Sequence, residues 1–186
     1  MIIRERTLAD APDEFEWRRD PETATLNATR PVSLTYSEFL DSFERDLRLF
    51  DPSRRAFAID TAEGQHIGSI MYYNGNHSAG TVEFGIGIYV DAARGAGVGT
   101  EATVAFMRYA WNNLPFRRIY LHTLEWNDRA HRCFIRAGFE DKGRVFRLQQ
   151  SFVRMEAQRE WWLLWDSEGR FERSMPSSDA PDSSEE

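Results

Sequence analysis

The chain reads as an α/β (α+β) protein, with a single mixed, mostly antiparallel, twisted sheet flanked by helices. Three observations predict this. A glycine-rich stretch, Arg94-Gly95-Ala96-Gly97-Val98-Gly99, separates an alternating apolar run at 82–90 from a helix-like run at 98–111. Strand-like runs joined by turn residues precede it, and helix-like and strand-like runs alternate after it. The 186 residues are 41% apolar and 13% aromatic, enough for one sizeable core.

The first strand is expected at 2–6 and a short helix, carrying Phe15 and Trp17, at 12–19. Thr35 and Glu38 form a capping-box signature. They introduce a helix whose Phe39, Leu40, Phe43, Leu47 and Phe50 recur at helical spacing. Strands follow at 55–60 and 66–73 with a turn at Glu63-Gly64, and Asn74-Gly75-Asn76 turns the chain into the 82–90 strand. After the 98–111 helix come a strand at 117–123, a helix at 128–137, and strands at 145–153 and 160–165. The pair 82–90 and 117–123, joined through the helix, is expected to be parallel. The folded domain is expected to span 1–166, followed by an acidic, disordered tail at 167–186, because the serine-, proline- and acid-rich 174–186 lacks apolar surface to bury.

Lysine and arginine number 23 against 30 acids, a net charge of −7, which argues against a nucleic-acid binder and suits a cationic acceptor. Cys133 is the only cysteine, which excludes an internal disulfide and a thiolate zinc site, and no metal-ligand cluster is visible. No signal peptide or membrane-length apolar run is visible, so a cytoplasmic protein is expected.

The turn at 94–99 is an anion cradle. Small residues let backbone N–H groups converge on a phosphate, the helix N-terminus adds partial positive charge, and Arg94 adds a full one. A Walker A loop is disfavoured because Val98-Gly99-Thr100 has no lysine. A dinucleotide fingerprint fits poorly from either Gly95 or Gly97, since it meets Thr100 or Ala102 in place of the last glycine.

Arg94-x-x-Gly97-x-Gly99 after a strand resembles the pyrophosphate loop of the GNAT superfamily of N-acetyltransferases. Asn127, Arg129-Ala130 and the helix closing in Gly138-Phe139 resemble that family's later motif, in the right order and about a helix and a strand apart. The resemblance extends over roughly residues 2–165 and is nearest the branch that acetylates spermidine-type polyamines and ribosomal-protein N-termini. It implies acetyl-coenzyme A as co-substrate, with the two parallel strands splayed around its pantetheine arm. It puts Ile88 and Val90 on pantetheine, and the amides of Gly95, Ala96, Gly97, Val98 and Gly99, with Thr100, on the pyrophosphate. It also puts Asn127 near the pantetheine and thiol and Arg132 on a phosphate, and it allows a homodimer.

On the 82–90 strand, Val82, Phe84, Ile86, Ile88 and Val90 share one face, and Glu83, Gly85, Gly87 and Tyr89 share the other. The two glycines reserve space beside Glu83. Glu83 is the candidate general base for an incoming amine, particularly if burial raises its pKa, or else a binder of the ammonium. His122 is a further base candidate or a hydrogen-bonded structural residue. Asn127 is a natural helix N-cap. Relatives carry a tyrosine acid where this chain has Phe134. The thiolate then leaves unassisted, or Tyr89 or Tyr120 serves as acid, or catalysis has been lost to a non-catalytic acyl-coenzyme A sensor or scaffold. Trp17, Tyr72, Tyr73 and Trp126 are candidates for an acceptor pocket. Trp161, Trp162 and Trp165 are expected on the last strand.

Overall fold

The computed structural model describes residues 1–95 and 97–172. The expected tail at 174–186 and Ala96 lie outside the described residues. A seven-stranded sheet runs through the molecule in the order β1 (Ile2–Glu5), β2 (Arg55–Asp60), β3 (His66–Asn76), β4 (Thr81–Ile88), β5 (Arg118–Leu124), β7 (Gln150–Gln158), β6 (Glu140–Arg147). All neighbours are antiparallel except β4 and β5, which are parallel as expected. The helix α4 (Val98–Asn113) makes that crossover.

The face of the sheet carrying Val82, Phe84, Ile119, Leu121 and Met155 packs on Phe106, Met107 and Trp111 of α4 and on Phe134 of α5 (Asp128–Arg136). A smaller cluster joins Phe15 of α1 (Ala11–Arg19) to Phe39 and Phe43 of α3 (Tyr36–Arg48). The α3 capping box forms as the sequence indicates, Thr35 Oγ1 accepting from the Glu38 amide and Glu38 from the Thr35 amide. Phe50 lies beyond the helix, which ends at Arg48, and is 85% exposed.

Four expectations are corrected. β3 runs through Asn74 and Gly75, and the turn falls at 77–80 instead, where the Gly80 N–H bonds to the His77 carbonyl. A short helix, α2 (Pro21–Leu26), is present where none was expected, started by Asp20 accepting from the Thr23 amide and by proline at its first position. The single strand expected at 145–153 is a hairpin, β6 and β7, turning at Leu148 and Gln149 with φ of 52° and 59°. Both central residues have positive φ without a glycine, so the usual turn signal is missing.

The run at 160–165 forms a helix, α6 (Arg159–Ser167), rather than a strand. Trp162 is fully buried, its indole N–H donating to the Ala137 carbonyl at 2.8 Å, whereas Trp161 is half exposed. Gly138, at φ +90°, leaves no room for a Cβ beside Trp162 and Phe171, which explains the glycine that ends α5. Phe171 is buried on Trp162, so packing continues beyond the expected boundary at 166. No helix among the described residues is long and apolar enough to cross a membrane.

Candidate active site

β4 and β5 pair over only three positions, Thr81 with Arg118, Val82 with Ile119 and Glu83 with Tyr120, and then separate. Glu83 stands at the vertex. Strand alternation puts Tyr120 and His122 on its face of the sheet, and Tyr73 opposite it on β3. His122 Nδ1 lies 2.8 Å from Glu83 Oε1 and must donate, since an ionised carboxylate only accepts. Asn74 donates to the other oxygen at 3.0 Å, and the Arg147 guanidinium lies 3.5 Å away. Glu83 is 3% exposed. Burial alone would raise its pKa, but the bonds from His122 and Asn74 and the charges of His122 and Arg147 outweigh it and hold the carboxyl below its usual range. The expected raised carboxyl is therefore corrected.

The ring of His122 is nearly buried, and its Nε2 makes no hydrogen bond among the described residues. Burial, then the Glu83 charge, push the Tyr73 and Tyr120 phenols up from their ordinary value. Arg147 stacks on Phe152, and Arg154 on Tyr120, with centroid distances of 5.0 and 4.5 Å. Nothing in the sequence around Asn74 or Arg147 signalled their approach to Glu83. Their positions follow from the strand register and from the unsuspected hairpin.

The space expected over the β4 glycines is mostly taken. A Cβ on Gly87 would sit 2.2 Å from the Tyr89 hydroxyl, and one on Gly85 would meet the Tyr73 ring at 3.4 Å. Tyr89 lies beside Ser69, its ring against Trp17, and burial raises its pKa. It sits over Gly87, whereas Tyr120 sits directly across from Glu83. Trp17 stacks on His66 as well, away from the vertex. Tyr72 alternates onto the Phe84 face, is 5% exposed and packs on Phe116, so it belongs to the core. Trp126, in the turn after β5, is half exposed.

Gly97 caps α4 in the left-handed region at φ +85°, and Gly95 has a φ of +89° with open space where a side chain would stand. The N-terminus of a sixteen-residue helix thus opens beside the end of β4, where its first N–H groups lack intrahelical partners. Arg94 differs from the free cation expected, since its Nε donates to the Ile88 carbonyl at 2.8 Å and its Nη1 to Asp91. The Val90 carbonyl accepts from the Ala93 amide. Thr100 is buried, its hydroxyl directed at Cys133 Sγ, and burial pushes that thiol up.

Asn127 caps α5, Oδ1 accepting from the Ala130 amide at 3.1 Å. Arg129, Arg132 and Arg136 recur on α5 at three- and four-residue spacing, all exposed and without a carboxylate partner among the described residues. Arg129 and Arg136 flank Cys133, which touches the position of a Gly99 Cβ at 3.4 Å. Only Arg132 was singled out in the sequence, although the spacing alone would have found the other two. Phe134 is 7% exposed against Phe84 and Phe139. A cleft of about 1360 Å³ opens between α3, the segment after it, and β2 and β3, and its lining reaches Tyr73 and Asn74.

A family model described as an acetyltransferase (GNAT) domain matches residues 1–140. The chain belongs to the GNAT acetyltransferase family. No curated protein sequence matches it significantly. Among solved structures, spermidine N-acetyltransferase from Vibrio cholerae in complex with CoA and spermine is 19% identical, covering 87% of this chain and 97% of that one with a TM-score of 0.78. An aminoglycoside acetyltransferase in complex with coenzyme A is 22% identical over 92% and 96%, with a TM-score of 0.70. A dodecameric structure of the Vibrio cholerae enzyme in an intermediate state is 19% identical over 87% and 95%, also at 0.70. At these identities the likeness is one of fold. What the chain shares with them is its overall fold.

Proposed function

We propose that the protein transfers the acetyl group of acetyl-coenzyme A to a primary amine by direct attack in a ternary complex. The observation that carries this is the opening between β4 and β5, with a hydrogen-bonded carboxylate–imidazole pair at its vertex and a glycine-capped helix N-terminus beside its mouth. The residues fit the co-substrate: the α4 N-terminus and the exposed arginines of α5 offer donors and charge for phosphates, and the parted strands leave a gap for an extended arm. When bound, acetyl-coenzyme A supplies an activated acyl carbon and a thiolate leaving group.

An amine reaches the vertex protonated and must lose a proton before it attacks. A carboxylate held below its usual range is a weak acceptor for that proton. Imidazole is the side chain suited to proton exchange near neutral pH. His122 Nε2 is therefore the proposed acceptor, directly or through a water, with Glu83 as its positioning residue: it fixes the Nδ1–H tautomer and stabilises the imidazolium. Attack forms the C–N bond, the C–S bond breaks, and the thiolate takes a proton. Tyr120, across from Glu83, is the nearer of the two phenols suggested for that last step.

The test is release of free thiol from acetyl-coenzyme A over a panel of amines, beside a thermal shift with coenzyme A. Amine-dependent thiol release is the expected result. A thermal shift without turnover on any amine would leave a cofactor-binding domain in place of an enzyme.

A further inference from the structure

The cleft that ends at Tyr73 and Asn74 carries information about the acceptor, and the inference rests on the acetyl-transfer reading above. The whole chain is acidic, with a net charge of −7, yet the cleft wall reverses this. Six arginines line it, Arg6, Arg18, Arg45, Arg48, Arg54 and Arg55, against Glu5, Asp46 and Asp51. A polyamine needs carboxylates that are not already committed to cations or donors. Here Glu5 takes Arg55 on both oxygens, Asp46 is shared by Arg6 and Arg54, and Asp51 accepts from the Ser53 amide and hydroxyl. Behind Asn74, which lines the cleft, Glu83 holds His122 and Asn74, and Arg147 beside it repels any second ammonium.

The guanidinium groups, by contrast, outnumber their partners. Glu14 serves both Arg6 and Arg18, Arg48 pairs with Glu44 one turn back, and Arg45 bonds only the Asp41 carbonyl on its own helix. Arg6 has a side chain only 6% exposed, and its Nε is buried with no acceptor. A buried donor left unpaired costs free energy that an incoming oxygen would recover. The cleft volume also exceeds the roughly 300–1,000 Å³ of ordinary small-molecule sites, which favours a chain over a compact amine.

We infer that the acceptor is an amine carried on an extended anionic chain, with the chemistry of an acidic peptide terminus rather than of a polyamine. The amine reaches Glu83 and His122 while carboxylates further along lie against the arginines of α3. Three acceptors separate the alternatives: a short peptide with alanine first and glutamate and aspartate after it, the same peptide with lysines in their place, and spermidine. Free-thiol release should give the acidic peptide a kcat/KM at least about 10-fold above the other two, falling as salt rises.

Arg45 and Arg48 are exposed on α3, so Arg45→Glu with Arg48→Glu should fold, which a melting curve checks. The double variant should lower kcat/KM for the acidic peptide by about 10-fold and raise it for the lysine peptide. Equal rates for the two peptides, or preference for the lysine peptide or spermidine, would overturn the inference while leaving acetyl transfer standing. Tryptophan-fluorescence titration supplies the second readout. Binding of the acidic peptide that the double variant loses, without thiol release, would support the arginine-lined, anion-binding cleft and overturn the transfer reading. No thiol release and no charge-dependent binding would overturn both.

Discussion

Replacing Glu83 with glutamine removes one charge from the vertex and almost no volume. The carboxylate lies 2.8 Å from His122 Nδ1 and is 3% exposed, so its attraction for an imidazolium is poorly screened. Charge centres about 4 Å apart at an effective dielectric of about 20 attract by about 4 kcal/mol. The glutamine carbonyl still accepts from Nδ1, and its dipole retains part of this, leaving a loss of about 3 kcal/mol, or roughly 10²-fold in kcat. The assay is free-thiol release at saturating acceptor across the pH range, with coenzyme A affinity measured by calorimetry and expected to stay near the wild-type value. A Glu83→Gln enzyme with unchanged kcat would refute the assignment of Glu83 as the partner of a histidine base.

Gly97→Val places a branched side chain at φ +85°, a conformation that costs it about 1–3 kcal/mol, and puts its bulk over the α4 N-terminus, so calorimetry should show coenzyme A affinity falling by about 10-fold or more. Arg94→Ala, which frees the Ile88 carbonyl rather than a phosphate contact, should lower affinity less. Phe134→Tyr inserts a hydroxyl among Phe84 and Phe139 and should cost about 1–3 kcal/mol in urea unfolding with no gain in turnover; a faster enzyme would show that the hydroxyl reaches the leaving group. The Asp10 carboxyl, despite burial, is held below its usual range by Arg4 and the Thr7 amide. Its contribution is therefore present above the unfolded pKa of about 3.9 and is lost as pH falls through the lower folded value. Asp10→Asn should cost about 2 kcal/mol at neutral pH, and that difference should vanish in acid, as urea melts at a series of pH values would show.

What was legible in the sequence was local. The glycine turn, the capping box at Thr35, the cap at Asn127 and the alternation along β4 each depend on neighbours within a few residues, and each forms. The parallel β4/β5 pair followed from the strand–helix–strand order. The active-site chemistry was only half visible. Glu83 and His122 are 39 residues apart and meet because of the parallel register, which no spacing announces. Arg147 reaches them through a hairpin whose turn residues, Leu148 and Gln149, adopt positive φ without a glycine or asparagine to signal it. Trp161, Trp162, Leu163, Leu164 and Trp165 form an apolar run too short for periodicity to separate strand from helix, and the packing of Trp162 under Gly138 decides it. The pKa of Glu83 went the other way from expectation because burial was visible in the pattern while the donors that outweigh it were not.

Three residue pairs are all that join β4 to β5, so the sheet is in effect two smaller sheets, β1 to β4 and β5 to β6, meeting along a short seam bridged from behind by α4. Beyond Glu83 the two strands make no ladder bonds to each other, and the halves are held there by the core they share on the α4 face. An extended ligand lying between them would stand where the ladder stops, in contact with both strands at once. Ligand binding would then be felt as a mechanical coupling of the halves: slower amide exchange along Leu121 to Leu124, and a higher unfolding midpoint.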